Sequence, residues 1–149
     1  MKKVVLSFAA VLLSTAAVTA ADDPISVRKA LMQANAAAAA VSGAMMKGEL
    51  EYNPAVARAA IANFNASAMA LGDFFPEGSQ TGGNTTAAPA IWENPEAFQQ
   101  AVAKFQTDAA AAMQAAGRQG PADLAAFQAA VTPVLSNCSS CHEDFRVQN

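Results

Sequence analysis

The segment from Pro121 to Phe145, PADLAAFQAAVTPVLSNCSSCHEDF, decides the fold. Alanine, which costs least in a helix, fills much of it. Its apolar side chains recur at steps of three and four residues, the spacing of one helix face: Leu124, Phe127, Val131, Val134 or Leu135, and Cys138. The pattern predicts an amphipathic helix over residues 121–145, kinked or interrupted at Pro133, because proline removes a backbone hydrogen bond.

The same helix ends in a C-x-x-C-H motif, Cys138-Ser139-Ser140-Cys141-His142. On a helix, positions 138, 141 and 142 stand at i, i+3 and i+4 and share one face. Two thiols at this spacing can form thioether bonds to the two vinyl groups of one haem, and the adjacent histidine can ligate its iron. The motif uses both cysteines and the only histidine of the chain. It predicts one covalently attached haem c, with His142 as the metal ligand.

Three other roles for the cysteines compete with haem attachment. A thioredoxin-type C-x-x-C belongs at the start of a helix in a βαβ pattern, whereas this motif ends a helix. A zinc site needs four ligands, and the chain offers two cysteines and one histidine. A disulfide across two intervening residues would close a very small loop and stabilise little. Haem attachment is therefore the favoured interpretation.

Dipeptides that end in proline mark the helix starts. Asp or Asn is a good N-cap, and proline is tolerated at the first helical position. The dipeptides are Asp23-Pro24, Asn53-Pro54, Asn94-Pro95 and Gly120-Pro121. Glycines mark the stops of the first three helices, at Gly48, Gly72 and Gly117. The sequence therefore predicts four helices, over residues 24–47, 54–71, 95–116 and 121–145.

Apolar stripes support the first and third of these helices. In the first helix the stripe consists of Leu31, Ala34, Ala38, Val41 and Met45. In the third it consists of Phe98, Val102, Phe105, Ala109 and Met113. Both follow helical spacing, and such stripes predict core rather than a binding function.

The links between helices predict how they pack. Short links join the first helix to the second and the third to the fourth, so these neighbours run antiparallel. The longer segment from Asp73 to Glu93, rich in Gly, Thr and Asn, is predicted as a surface loop. The fold class is thus all-α, an antiparallel up-down-up-down four-helix bundle. Its haem lies at the end that holds the C-terminus of the fourth helix.

This end of the bundle is predicted to surround His142 with aromatic and sulfur-containing side chains, which suit a flat apolar cofactor. The predicted neighbours are Arg28, Met32, Met69, Leu71, Phe74, Phe75, Trp92 and Phe98. Arg28 can pair with a haem propionate. Arg146 lies four residues after His142 on the same helix face. It is interpreted equally well as a contact near the proximal side of the haem or as a solvated charge at the helix end.

The first twenty residues have the order of a secretory signal peptide. The basic head Lys2-Lys3 precedes an apolar run over residues 4–18, and small residues follow. Cleavage after Ala20 leaves residues 21–149 as one domain. A membrane anchor is the alternative, but the run is short for a span of about 20 residues. Without the leader the chain has seven basic and twelve acidic residues, which disfavours nucleic acid and anionic membranes as partners.

With these residues in view, the sequence resembles cytochrome c′ over the whole mature chain. The stretches that carry the resemblance are residues 28–32 (RKALM), 46–48 (MKG), 74–78 (FFPEG), 91–92 (IW), 138–142 (CSSCH) and 145–146 (FR). Family members often have Gln or Glu where this chain has Lys29.

The resemblance implies a periplasmic haem protein, commonly a homodimer, that is not an enzyme. It implies a pentacoordinate, high-spin iron with His142 proximal and the distal side closed by an apolar residue, a position that Met32 matches. Arg28 matches the arginine on the propionate side, and Arg146 matches the arginine beside the proximal histidine. Nitric oxide and carbon monoxide are the implied ligands, with roles in nitric oxide tolerance or in electron transfer to an unidentified redox partner.

Two haem hypotheses differ at Met32. In the first, Met32 packs over the iron without bonding it, and the protein binds gases. In the second, the Met32 sulfur ligates the iron and the protein is a low-spin electron carrier, because methionine ligation raises the reduction potential. A thiol–disulfide enzyme without haem is the third hypothesis.

Overall fold

The computed structural model describes residues 23–147, and these residues form a four-helix bundle. The long helices are α1 (Pro24–Lys47), α2 (Pro54–Leu71), α4 (Pro95–Ala116) and α5 (Leu124–Phe145). A 3₁₀ turn (Gly72–Phe74) and the short helix α3 (Ala90–Glu93) lie between α2 and α4. Around the bundle, α1 packs on α2, α2 on α4, α4 on α5 and α5 on α1. The predicted all-α bundle is confirmed, and the predicted signal peptide lies outside the described residues.

The predicted N-caps form at three helices. The Asp23 carboxylate accepts from the backbone N–H groups of Ile25 and Ser26, and the Asn53 side chain caps α2 in the same way. Asn94 accepts from Ala97 N at the start of α4. Each cap satisfies backbone donors that a helix start leaves free, which is why these helices begin where the sequence predicts.

The predicted start of α5 at residue 121 is wrong. The helix begins at Leu124, and Asp123 is its N-cap, with the carboxylate accepting from Ala126 N at 2.8 Å. Pro121 instead ends the preceding turn, where its carbonyl accepts a hydrogen bond from the Tyr52 hydroxyl. An aspartate cap supplies a hydrogen bond that the Gly120-Pro121 pair cannot, so the helix begins later.

Of the two effects predicted for Pro133, the interruption is wrong, because α5 runs without a break from Leu124 to Phe145, and the kink stays a prediction. Pro133 is exposed, so its ring points away from the bundle. One turn later, the side-chain amide of Asn137 donates to the Pro133 carbonyl at 3.0 Å.

The core has two parts. The larger cluster fills the half of the bundle away from the C-x-x-C-H motif and is built around Ile61, Phe64, Phe127, Val131 and Val134. A smaller cluster of Ile91, Phe98 and Val102 lies at the motif end, with partly buried aromatic side chains packed against it. The predicted stripes of the third and fourth helices thus form core.

The stripe predicted for the first helix is only partly right. Ala38 and Met45 are buried, but Ala34 is exposed and its neighbour Asn35 is buried instead. Asn35 is satisfied by α2: its amide donates to Ser67 Oγ at 2.8 Å, and its carbonyl oxygen accepts from Asn63 at 3.1 Å. A polar residue therefore takes a core position that a search for apolar residues passes over.

The segment between α2 and α4 is more ordered than a plain surface loop. It contains α3, and its residues pair with the end of α5: Ala88 N donates to Phe145 O at 3.0 Å and Val147 N to Thr86 O at 2.9 Å. Among the described residues, no helix is both long enough and apolar enough to cross a membrane.

Candidate haem site

Both cysteines and His142 lie on the last two turns of α5, and all three are half-buried. No disulfide joins Cys138 and Cys141, so both sulfur atoms are available for thioether attachment. Burial raises the pKa of each thiol, and for Cys141 the nearby Cys138 and Asp144 act in the same direction. Redox-active cysteines have lowered pKa values, so this environment does not suit a thiol–disulfide enzyme.

The imidazole of His142 is set up to be neutral. Burial lowers the pKa of His142, and the positive charge of Arg146 lowers it further. A neutral imidazole has a free lone pair and is the form that ligates metals. Arg146 itself is exposed and lies just past the end of α5. Its backbone forms an isolated antiparallel β-bridge with Ala87.

Arg28 is the most unusual side chain at this end of the bundle. It is 5% exposed, and its guanidinium donates to Ser79 O at 2.7 Å and to Ser79 Oγ at 3.4 Å. The only ion pair among the described residues is the one between Lys104 and Asp108, so Arg28 has no carboxylate partner there. Burial lowers the pKa of Arg28. A buried cation of this kind is stabilised by an anion.

Aromatic rings continue from Arg28 to the end of α5. The guanidinium carbon lies 4.6 Å from the centre of the Phe75 ring and 5.8 Å from that of Trp92. The rings of Phe75 and Phe98 are 4.6 Å apart, and those of Phe98 and Phe145 are 5.3 Å apart, both edge to face. The Trp92 indole N–H donates to Phe75 O at 3.2 Å, which fixes the segment after α2.

The structure corrects one predicted neighbour of the haem. Met69 is 68% exposed on α2 and faces solvent. Leu71 is buried, and Phe74 is half-buried. Met32 is half-buried on α1, one turn after Arg28. Met69 lies two residues before the end of α2 and therefore at the motif end of the bundle, as predicted. It projects from the solvent-facing side of α2, however, and not from the side that faces the other helices.

Sequence reasoning missed Ser79 and the Phe145 contact. Ser79 lies in an irregular segment, so no periodicity singles it out, although Gly78 with φ +87° marks a turn beside it. Phe145 continues the stripe of α5 beyond Cys138 and could have been found by extending the spacing of three and four residues to the end of the helix.

These residues fit haem. Two thiols and an imidazole on one helix face match thioether attachment and iron ligation, a wall of aromatic rings matches a flat apolar ring system, and a buried guanidinium matches a propionate. All of these groups lie at the same end of the bundle: Cys138, Cys141, His142, Arg28 and the rings of Phe75, Trp92, Phe98 and Phe145.

The sequence is similar to known proteins over nearly all of the described residues. The family model described as cytochrome C' matches residues 23–146. Cytochrome c′ of Rhodopseudomonas palustris is 38% identical over 138 residues, which cover 93% of this chain and 91% of that protein. Cytochrome c-556 of Agrobacterium fabrum is 34% identical over 121 residues, 81% of this chain and 79% of that protein.

The fold agrees as well. The solved structure of cytochrome c′ from Rhodopseudomonas palustris superposes with a TM-score of 0.77 at 36% identity, covering 85% of this chain and 98% of that one. The family model and this solved structure each cover most of the chain, which also carries the C-x-x-C-H motif at residues 138–142. The chain therefore belongs to the cytochrome c′ family and carries haem c as its covalently attached cofactor.

Proposed function

We propose that the protein binds nitric oxide and carbon monoxide at a pentacoordinate haem. Cys138 and Cys141 hold the haem by thioether bonds, His142 ligates the iron, and Met32 covers the opposite side without bonding it. The observation that carries the haem part of this assignment is the buried Arg28, which makes no ion pair with a carboxylate among residues 23–147, and the gas-binding part follows from the half-buried, apolar environment of Met32. A haem propionate supplies the missing anion.

The surrounding residues orient the cofactor. Arg28 holds a propionate while its guanidinium stays fixed by Ser79 and by the Phe75 ring. Phe75 lines the site beside Arg28, and Arg146 stays near the proximal side, where its charge favours a neutral His142. When bound, the haem supplies an iron whose sixth position is open to a small ligand.

The side chains near Met32 support selection of uncharged gases. Leu31 and Met32 are both half-buried and offer alkyl and thioether groups. Asn35, the next buried polar residue along α1, is engaged with Ser67 and Asn63 of α2. An apolar cover over the iron disfavours water and admits nitric oxide and carbon monoxide, while the nearby Arg28 is paired with the propionate.

A second candidate function is electron transfer through a six-coordinate, low-spin haem with Met32 as axial ligand. The presence of methionine at position 32 favours this candidate, because a thioether can ligate iron and an aliphatic side chain cannot. Met69 is excluded from this role by its exposure. The relatives include proteins named cytochrome c-556 as well as cytochrome c′.

The optical spectrum of the matured protein separates the two candidates. Gas binding predicts a high-spin spectrum in both oxidation states, whereas ligation predicts a low-spin spectrum with a sulfur-to-iron charge-transfer band in the oxidised form. Met32→Leu is the matched control, because it removes the sulfur and keeps the apolar volume. Under gas binding it leaves the spin state unchanged and Met32→Ala speeds carbon monoxide entry; under ligation both variants convert the iron to high spin.

Covalent attachment of the haem and export to the periplasm are tested separately. Mass spectrometry of periplasmically matured protein should give a chain that begins at Ala21 and carries one haem. Loss of all covalent haem with both thiols free would overturn both candidates. Sedimentation of the mature protein tests the homodimer, and a monomer would remove that part of the proposal only. Because the proposed role is binding or carrying, no substrate turnover is expected.

A further inference from the structure

A polar tie joins α5 to α4 just before the haem-attachment motif. The side-chain amide of Asn137 donates to Asp108 Oδ2 at 2.7 Å and to the Pro133 carbonyl at 3.0 Å. The same Asp108 oxygen accepts from Lys104 Nζ at 2.6 Å. Asn137 is 5% exposed, whereas the side chains of Asp108 and Lys104 are 20% and 64% exposed, so the hydrogen bond is buried at its Asn137 end.

The tie has a counterpart on the other side of the motif. Asn137 lies one helical turn before Cys141, and Phe145 lies one turn after it. Phe145 packs edge to face on Phe98 of α4, with ring centres 5.3 Å apart. Cys141 is therefore bracketed by two contacts with the same neighbouring helix, one polar and one aromatic.

Rotation of α5 about its own axis is the movement that this pair of contacts opposes. Such a rotation would turn the Cys141 thiol and the His142 imidazole together, since both project from the bracketed turns. Functional geometry has to be held to about 0.5 Å and 10–20°. Pro133 makes the restraint more necessary, because it deprives α5 of one backbone hydrogen bond a turn earlier.

We propose that Asn137 is a positioning residue for the haem: its hydrogen bond to Asp108 sets the rotation of α5 and thereby the direction in which His142 meets the iron. The inference rests on the proposed ligation by His142. In this role Asn137 acts through the helix that carries the haem ligands.

Three holoprotein variants test the proposal. Asn137→Ala removes the hydrogen-bond donor on α5. Asp108→Ala removes the acceptor on α4 and leaves Asn137 in place. Asp108→Asn removes the charge but keeps an oxygen that accepts from Asn137. Gln106→Ala is the control, because Gln106 makes a comparable bond from α4 to a different helix, donating to Ala68 O at 3.1 Å.

The readout is the ferric electron paramagnetic resonance spectrum, which reports ligand geometry for both high-spin and low-spin iron, together with the midpoint potential. Asn137→Ala and Asp108→Ala should each broaden and shift the ferric signal and displace the potential. Asp108→Asn should keep the signal shape, and its potential should move to more positive values because a negative charge is lost. Gln106→Ala should match the wild type in both.

A wild-type ferric signal in both tie-breaking variants, with a wild-type potential in Asn137→Ala and a potential in Asp108→Ala equal to that of Asp108→Asn, would overturn the proposal and leave Asn137 a structural residue. If Asn137→Ala does not fold, the ferric signal of Asp108→Ala, compared with that of Asp108→Asn, decides alone. Failure of the proposed function is seen separately, because a wild-type protein without covalent haem or without histidine ligation shows it before any variant is compared.

Discussion

The guanidinium carbon of Arg28 lies 4.6 Å from the centre of the Phe75 ring, and this contact joins α1 to the segment that follows α2. The same side chain donates to Ser79 O at 2.7 Å, so one cation is held by a ring face and a backbone carbonyl. Cation–π contacts gain strength when water is removed, as it is around Arg28. Arg28 thus organises the motif end of the bundle in addition to its proposed pairing with a propionate.

Arg28→Lys should lower the free energy of unfolding by about 1–2 kcal/mol, because lysine keeps the charge but loses the planar stacking on Phe75 and the forked donor geometry. Denaturant unfolding of the holoprotein measures the change. Arg58→Lys is the control, since Arg58 also donates to a backbone carbonyl, Gly117 O at 3.1 Å, but away from the motif. Equal losses in the two variants would show that the stacking contributes nothing particular.

The free energy of unfolding should fall in acid because of Asp108. Hydrogen bonds from Lys104 and then Asn137 hold the pKa of Asp108 below its usual 3.8. The unfolded chain therefore takes up this proton first as the pH falls, so the stabilisation is present above about pH 4 and is lost below it. The wild type should be more stable than Asp108→Asn at pH 6, and the difference should shrink below pH 4. Urea unfolding over this pH series would contradict the prediction if the two curves stayed parallel.

Local signals predicted most of the fold. Asp23, Asn53 and Asn94 cap the helices that follow them, because a side-chain acceptor next to a helix start satisfies its free N–H groups. The spacing of Cys138, Cys141 and His142 predicted the chemistry of the site, since the i, i+3 and i+4 positions share a face whatever the rest of the bundle does.

Features that depend on contacts between distant segments were not predictable. Met69 is apolar and close to the right end of α2, but its exposure depends on the orientation of α2 against α4. The partner of Arg28, Ser79, comes from an irregular segment without periodicity. The continuity of α5 through Pro133 coincides with the tie from Asn137 to Asp108, which is a contact with another helix.

Tyr52→Phe should cost about 1 kcal/mol of stability and leave the haem spectrum unchanged. Tyr52 donates to the Pro121 carbonyl at the end of the bundle away from the motif, and phenylalanine keeps the packing on the Phe127 ring 6.2 Å away. Burial, then the charge of Asp123, raises the pKa of Tyr52 above 10.0. Its stabilisation is therefore full below pH 10 and lost as the pH rises through the folded-state pKa, a loss that the variant should lack. A change in the haem spectrum of Tyr52→Phe would show that the Tyr52 end of the bundle influences the haem end.

Gly120→Ala should destabilise the bundle more than Gly117→Ala. Both glycines have positive φ, +90° at Gly120 and +58° at Gly117, so alanine at either position costs roughly 1–3 kcal/mol of backbone strain. A Cβ at Gly120 would also lie 2.1 Å from the Pro54 carbonyl oxygen, whereas a Cβ at Gly117 meets nothing within 4 Å.

The atom that Gly120 approaches is backbone at the first turn of α2, so it cannot rotate away as a side chain would. Relief requires the segment before α5 to move away from α2, which adds about 1–3 kcal/mol of overpacking to the strain. Thermal unfolding of the two variants measures the difference. Equal melting temperatures would mean that the turn before α5 shifts freely, and that the close approach of Gly120 to Pro54 does not hold the two helices together.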